Sequence, residues 1–304
     1  MGACRLWQVA HLGQSPAPAG AAPLPLSGSD ASAAWRQVLQ RQLQALPAER
    51  RRRLRELAAG PDAQLLCPPE RPGEPAVPLL DLASNDYLGL SRHPTIRAAA
   101  AAELERSGVG AGASRLVSGS RPVHHALEQA LAGWLGRERV LLFPSGFQAN
   151  LAAVGALADR HTLVLADRLI HHSLLAGVKA SGARLQRFAH NDIADLHRRL
   201  EQACREQAGR RLLVLSESLF SMEGTSPDVA ALAACCAAHG APLLLDEAHA
   251  LGVLGPGGRG LAWELNGQAA SAVALICGTF GKAFGGGGAF LAGDALVMEW
   301  LLQS

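Results

Sequence analysis

From residue 140 onward, short apolar runs alternate with longer stretches in helical rhythm. Short, mostly apolar runs predict strands at 140–143, 163–166, 212–216, 242–245, 273–277 and 289–292, and the alternation of strands and helices adds one at 184–188, where Leu185 and Phe188 sit among polar residues. Between them the pattern predicts helices at 147–157, 173–181, 193–207 and 228–239. Strands that read as almost wholly apolar and are separated by helices predict a largely parallel sheet covered on both faces. Upstream, an alanine-rich helix is expected at 93–106 and another at 122–135, with Pro122 in its first turn. Residues 108–119 are too rich in Gly and Ser for helix and read as a loop at the site. Further back, 35–59 has a helical leucine stripe (Leu39, Leu43, Leu46, Leu54, Leu57), broken in two at Pro47. Residues 60–78 read as a Pro-rich linker, and 15–32, rich in Ala, Pro, Gly and Ser, as disordered. The expected organisation is therefore a disordered extension over 1–33, a helical arm and linker over 34–80, and one large α/β domain over 81–304.

Composition narrows the class of protein. A net charge of +2 gives no electrostatic case for nucleic acid, and no apolar stretch approaches membrane-spanning length. The six cysteines show no C-x-x-C and no zinc spacing, and read as reduced thiols of a cytosolic protein. Cys235 and Cys236 read as filler in an alanine-rich helix. The basic run 50–55 reads as a solvated face, with capture of an acidic acyl substrate as the alternative.

Lysine usage is more pointed. Of 28 Lys+Arg, only Lys179 and Lys282 are lysines. Arginine stays protonated, whereas a desolvated lysine forms an imine with an aldehyde. Lys282 follows a buried-strand pattern and lies within the glycine-rich 277–288 (CGTFGKAFGGGG), while Lys179 reads as a surface residue. Asp246 ends another apolar run, at the strand terminus where open α/β sheets bind ligands. Pyridoxal phosphate (PLP) needs such a carboxylate beside its pyridine nitrogen, and His249, three residues on, is placed to donate to the ring's phenolic oxygen. A helix cap or a metal ligand is the competing role for Asp246 taken alone. At 140–151 a strand, the turn Pro144-Ser145-Gly146 and a helix start predict free amides at Gly146 and Phe147 for a phosphate, with Thr279 adding a hydroxyl.

Eight ordered stretches over roughly residues 80–300 carry a resemblance: 82–91 (LASNDYLGLS), 110–119 (GAGASRLVSG), 143–150 (FPSGFQAN), 167–174 (DRLIHHSL), 187–192 (RFAHND), 217–224 (ESLFSMEG), 246–249 (DEAH) and 278–282 (GTFGK). With them the chain resembles the α-oxoamine synthases, fold-type-I PLP enzymes that join an amino acid to an acyl thioester with loss of carbon dioxide. The resemblance implies a mostly parallel seven-stranded sheet, a homodimer, and L-alanine with a pimeloyl thioester as substrates. Glycine or serine with other acyl groups is the alternative, as is a catalytically silent cofactor-binding chain. By the same resemblance Lys282 would carry the cofactor, Asp246 would pair with its pyridinium, and His171 would stack on the ring. Ser221 and His249 would hydrogen-bond ring substituents, and Gly146, Phe147 and Thr279 would meet the phosphate. Glu217 and Asn85 would support the site, and His190, Asn191 and Asp192 would build a turn. The family carries a small C-terminal domain that nothing in this sequence matches, so the resemblance implies either a fragment of a longer protein or a shortened one that binds cofactor without full turnover.

Overall fold

The structure, a computed structural model, describes residues 30–304 apart from 61–63, 70, 72, 207, 208 and 210. The extension expected to be disordered lies almost wholly outside the described residues. The chain divides into two compact units, one of residues 1–60 and 65–79, the other of 61–64 and 80–304.

In the first unit, α1 (Asp30–Ala45) ends two residues before Pro47, and a short 3-10 turn follows at Ala48–Arg50. The second half of the expected helix does not form. Arg51 instead folds back, and its Nη2 donates to Leu43 O at 2.9 Å, serving a carbonyl at the helix end. Five arginines between 50 and 55 also repel one another at helical spacing. That run is exposed, as a solvated segment should be. The expected linker contains strands: β1 (Ala58–Ala59), β2 (Gln64–Cys67) and β3 (Val77–Leu80) form a small sheet in that order. Their brief apolar runs suffice for pairing between proline-rich turns.

The second unit holds α2 (Pro94–Ser107), α3 (Pro122–Leu135) and a seven-stranded sheet. In chain order its strands are β4 (Arg139–Phe143), β5 (Thr162–Asp167), β6 (Arg184–Phe188), β7 (Arg211–Glu217), β8 (Leu243–Asp246), β9 (Val273–Thr279) and β10 (Ala289–Gly293). Their spatial order is β4-β10-β9-β8-β7-β5-β6. Only β10 runs against its neighbours, which it pairs antiparallel on both sides. The intervening helices are α4 (Gly146–Leu157), α5 (His172–Ser181), α6 (Ile193–Glu206), α7 (Val229–Ala238), α8 (Gly267–Ala272) and α9 (Ala295–Gln303).

Strand periodicity sorts the core into two layers. Leu163, Leu165, Val214, Leu243, Leu245 and Ile276 pack with α3, α6 and α7 residues such as Leu131, Leu200 and Leu232. Val164, Leu213, Leu215, Leu244, Leu275 and Leu291 pack on the other face with Ala153 and Val154 of α4, Leu174 and Val178 of α5 and Met298 of α9. The parity then decides where each strand-end acid points. Glu217 and Asp246 continue the second set, toward α4 and α5, while Asp167 continues the first. Gly177 lets α5 approach α4, since a Cβ there would lie 2.8 Å from Val154 Cβ. Among the described residues, no helix is long and apolar enough to cross a membrane.

Candidate active site

Parallel pairing puts the ends of β7, β8 and β9 side by side, with Glu217 opposite Asp246 and Asp246 opposite Cys277. Two carboxylates thus stand on adjacent strands, both buried. Asp246 is fixed from two directions. Asn150 Nδ2, on the inner face of α4, donates to Oδ2 at 2.7 Å, and the Ala248 amide donates to Oδ1 at 2.9 Å. The same Asn150 amide donates to Ser173 Oγ at 3.0 Å. Ser173 Oγ lies 2.7 Å from His171 Nδ1, and the Ser173 amide also donates to that nitrogen. A chain of polar contacts therefore runs Asp246–Asn150–Ser173–His171. In it Nδ1 of His171 acts as acceptor and caps α5, which leaves the ring proton on Nε2.

Glu217 takes a 2.6 Å hydrogen bond from the His171 backbone amide. Burial pushes its carboxyl up to about 8, and the neighbouring Asp246 charge adds to the rise. Burial also lowers the Lys282 amine, against the opposing pull of Asp246 and Glu217. Lys282 is half-buried, and among the described residues its amine has no hydrogen-bond or ion-pair partner. Lys179 is exposed in the last turn of α5. The loop that carries Lys282 is seated through Gly285, at φ 65°, where a Cβ would lie 2.2 Å from Ser91 N. His249 Nδ1 is 2.7 Å from the Tyr87 hydroxyl, which in turn reaches Asn85 Oδ1 at 3.1 Å. Burial, with the Lys282 charge, brings His249 down to about 4, so its ring is neutral near pH 7.

The anion cradle forms at the start of α4. Ser145 caps the helix by accepting from Gln148 N at 3.3 Å, so the Gly146 and Phe147 amides remain without helical partners. Thr279 is close by, 3.9 Å from where a Cβ on Gly146 would sit. Its hydroxyl donates to Gly288 O at 3.1 Å and accepts from the Gly281 amide, so it turns toward an anion only by leaving Gly288.

The structure thus connects Asp246 with His171, sets Glu217 beside both and Lys282 within reach of their charges, and pairs His249 with Tyr87 and Asn85. Ser221 stands apart, exposed on the turn after Phe220 and without a hydrogen bond to the other candidates. His190 and Asn191 serve the turn before α6, bound to Asp167 on the opposite face of the sheet. Asn150 and Ser173 carry the network and were not picked out from the sequence. Their signal was faint: Asn150 is the one polar residue on α4's buried side, and Ser173 follows His171 by two.

These residues suit PLP on structural grounds: an unpartnered amine lowered by burial, a rigid buried carboxylate and free helix-start amides surround one crevice. The family model for aminotransferase class I and II matches residues 77–303. The 8-amino-7-oxononanoate synthase of Acidithiobacillus ferrooxidans (strain ATCC 53993 / BNL-5-31) is 48% identical over 236 residues, 77% of this chain and 59% of that protein. A solved structure of SPT with PLP has a TM-score of 0.73 at 28% identity, covering 90% of this chain and 65% of that one. An 8-amino-7-oxononanoate synthase from Francisella tularensis gives a TM-score of 0.60 at 29% identity, covering 73% and 60%. The chain spans about 60% of the length of such relatives, and it belongs to the aminotransferase class I and II family, on its α-oxoamine synthase branch.

Proposed function

We propose that the chain binds PLP and works as an 8-amino-7-oxononanoate synthase, condensing L-alanine with a pimeloyl thioester and releasing carbon dioxide. The observation that carries this reading is the unpartnered Lys282 amine, lowered by burial, in a crevice where Asp246 and Glu217 stand on adjacent strand ends. When bound, PLP supplies an aldehyde to an amine and a ring that accepts electrons from the substrate α-carbon.

The chain's own groups divide the remaining work. Lys282 is the amine that would hold the cofactor, and as a free amine it would carry the substrate's α-proton. Asp246, pinned by Asn150 and the Ala248 amide, would hold a proton on the cofactor's ring nitrogen. His171, oriented by Ser173, would pack on the ring. Neutral His249, bonded to Tyr87, would hydrogen-bond a ring substituent. The Gly146 and Phe147 amides, with Thr279, would bind the phosphate. A homodimer belongs to this reading, in keeping with the large exposure of Val109, Leu116, Val117 and Met222 on loops. So does a cytoplasmic setting, in keeping with free Cys67, Cys204, Cys235, Cys236 and Cys277.

The test is to load the chain with PLP, reduce with borohydride and map the adduct, which is expected on Lys282. Exchange of the α-hydrogen of alanine, glycine and serine into deuterated water then ranks the amino acids without an acyl donor. Condensation with a pimeloyl thioester completes the series. An adduct on Lys179 overturns the cofactor assignment. Exchange faster with serine than with alanine favours the palmitoyltransferase-like alternative, the reading suggested by the higher TM-score of the SPT structure.

A further inference from the structure

Away from the crevice, α6 and α7 bring together a second set of donors. His197 lies on the solvent side of α6, while its neighbours Leu196 and Leu200 enter the core. Cys235 lies on α7 and His239 caps it. One donor atom from each of His197, Cys235 and His239 lies within 4.8 Å of the other two. Nε2 of His239 is 3.0 Å from Nδ1 of His197, and the ring centroids are 4.9 Å apart. Tetrahedral zinc with Zn–N bonds of about 2.0–2.1 Å holds two ring nitrogens roughly 3.3 Å apart. The two imidazoles are therefore already near the separation that one ion would impose.

A fourth residue strengthens the case. Glu201 is one turn beyond His197, and its Oε1 lies 3.8 Å from His197 Nε2. If Nδ1 of His197 faces the ion, Nε2 carries the proton and points it at a carboxylate. That arrangement orients metal-bound histidines and raises their basicity. The sequence pattern behind the cluster is two i, i+4 pairs on adjacent helices, His197 with Glu201 and Cys235 with His239. A search for cysteine pairs passes over it, because only one ligand is a thiol.

We propose that His197, Cys235 and His239 form a binding site for a borderline-soft divalent ion, Zn²⁺ by ligand type, which ties α6 to α7 and leaves one coordination position for water. Thiolate and imidazole select such ions over Mg²⁺ or Ca²⁺. On binding, the Cys235 thiol gives its proton to solvent and both histidines bind as neutral rings. The role is to join two helices on one face of the sheet, independent of the reaction at Lys282.

The test uses the full chain in chelator-free buffer. Zn²⁺ is titrated in competition with a chromophoric chelator, and Co²⁺ is added as a spectroscopic probe. One equivalent of Zn²⁺ is expected, together with a Co²⁺ thiolate charge-transfer band and a rise in Tm on metal addition. Cys235→Ala and His239→Ala should each weaken Zn²⁺ by at least about 100-fold, and Glu201→Gln by about 10-fold. Cys204→Ser, which alters an exposed thiol elsewhere on α6, should change nothing. Melting of each variant without metal checks its fold, and Cys235→Ser replaces any that is disturbed. No stoichiometric uptake, or equal affinity in the wild type and a folded Cys235 variant, overturns the proposal.

Discussion

Three strand-end acids, on β5, β7 and β8, have opposite fates. Asp167, fully buried, accepts from the Leu169 amide at 2.8 Å, the Asn191 amide at 2.8 Å and His190 Nδ1 at 2.9 Å. His190 passes the network on to Thr225 Oγ1 at 2.7 Å and packs edge-on against Phe220. Asn191 takes φ 55° to present its amide, a conformation that asparagine tolerates. Around Glu217 and Asp246 the accounts stay open. Glu217 has one amide for a buried carboxyl, Asn150 Oδ1 is buried without a partner, and the Lys282 amine is unpaired. An acid saturated with donors builds a turn. Acids left short of them, beside an unpaired amine, hold unsatisfied electrostatics that a ligand can satisfy.

The largest expected effect tests the open side. Lys282→Ala should remove borohydride-fixed cofactor and reduce alanine α-hydrogen exchange at least ~10³-fold, because one amine both holds PLP and moves the proton. Melting should change little, since a half-buried amine with no partner contributes no bond to lose. A large drop in Tm with exchange preserved would place Lys282 among the structural residues.

The contrast between the acids is broken most directly by a pair of variants. Asp246→Asn keeps the shape and the Asn150 contact but cannot hold a ring proton, so exchange should fall about 10²- to 10³-fold with near-normal melting. Asp167→Ala should do the reverse: about 3 kcal/mol lost in urea unfolding, as three donors lose their buried acceptor, with exchange per folded molecule retained. Matching phenotypes in the two variants would mean that hydrogen-bond saturation does not separate the roles.

How much of this was legible beforehand follows the same line. Most strands of the large sheet could be read because the central ones bury both faces and so appear as continuous apolar runs, as Leu243, Leu244 and Leu245 do, whereas the edge strand Arg184–Phe188 keeps exposed arginines. The chemical residues stood out because Asp246 follows such a run directly and Lys282, one of two lysines, lies in the glycine-rich loop after another. Cross-strand and cross-helix pairings were not legible. Nothing local marks Asn150 as the donor to an acid 96 positions away, or Tyr87 as the partner of His249. The arm misled for a related reason: its leucines have helical spacing, but Trp35, Leu39 and Leu43 remain exposed, so no burial enforces the pattern past Pro47.

A subtler test uses pH. The Glu217 carboxyl is raised from an ordinary 4.5 to about 8, so the folded chain holds this proton more tightly than the unfolded chain. Its stabilising effect is complete below pH 4.5 and is lost as pH rises through 8. Glu217→Gln, which keeps an acceptor for the His171 amide, should therefore come within about 1 kcal/mol of the wild type at pH 5. At pH 8.5 without cofactor it should be more stable by about 2 to 4 kcal/mol. Glu247, raised to about 7 by burial, adds a slope of the same sign to both proteins and cancels in the difference. His249, lowered to about 4, acts with the opposite sign below pH 6.5 and also cancels. Parallel urea midpoints from pH 5 to 8.5 would show that Glu217 is no more frustrated than Asp167.

The smallest expected effect lies at the rim, where the Tyr87 hydroxyl joins Asn85 to His249. Tyr87→Phe keeps the ring and removes both bonds. Because Tyr87 is exposed, water replaces them, and stability should fall by no more than about 1 kcal/mol. The consequence for the site should exceed that for the fold. With Tyr87 present, His249 Nδ1 is held and its other nitrogen is aimed; without it the ring is free to rotate, and PLP affinity should weaken by a few fold. Asn85→Ala is the discriminating partner. If Asn85 acts by fixing the hydroxyl, its removal should weaken PLP in the wild-type background and do almost nothing in Tyr87→Phe. Additive losses would assign Asn85 a contact of its own with the cofactor, and so move the boundary between the residues that build the crevice and those that use it.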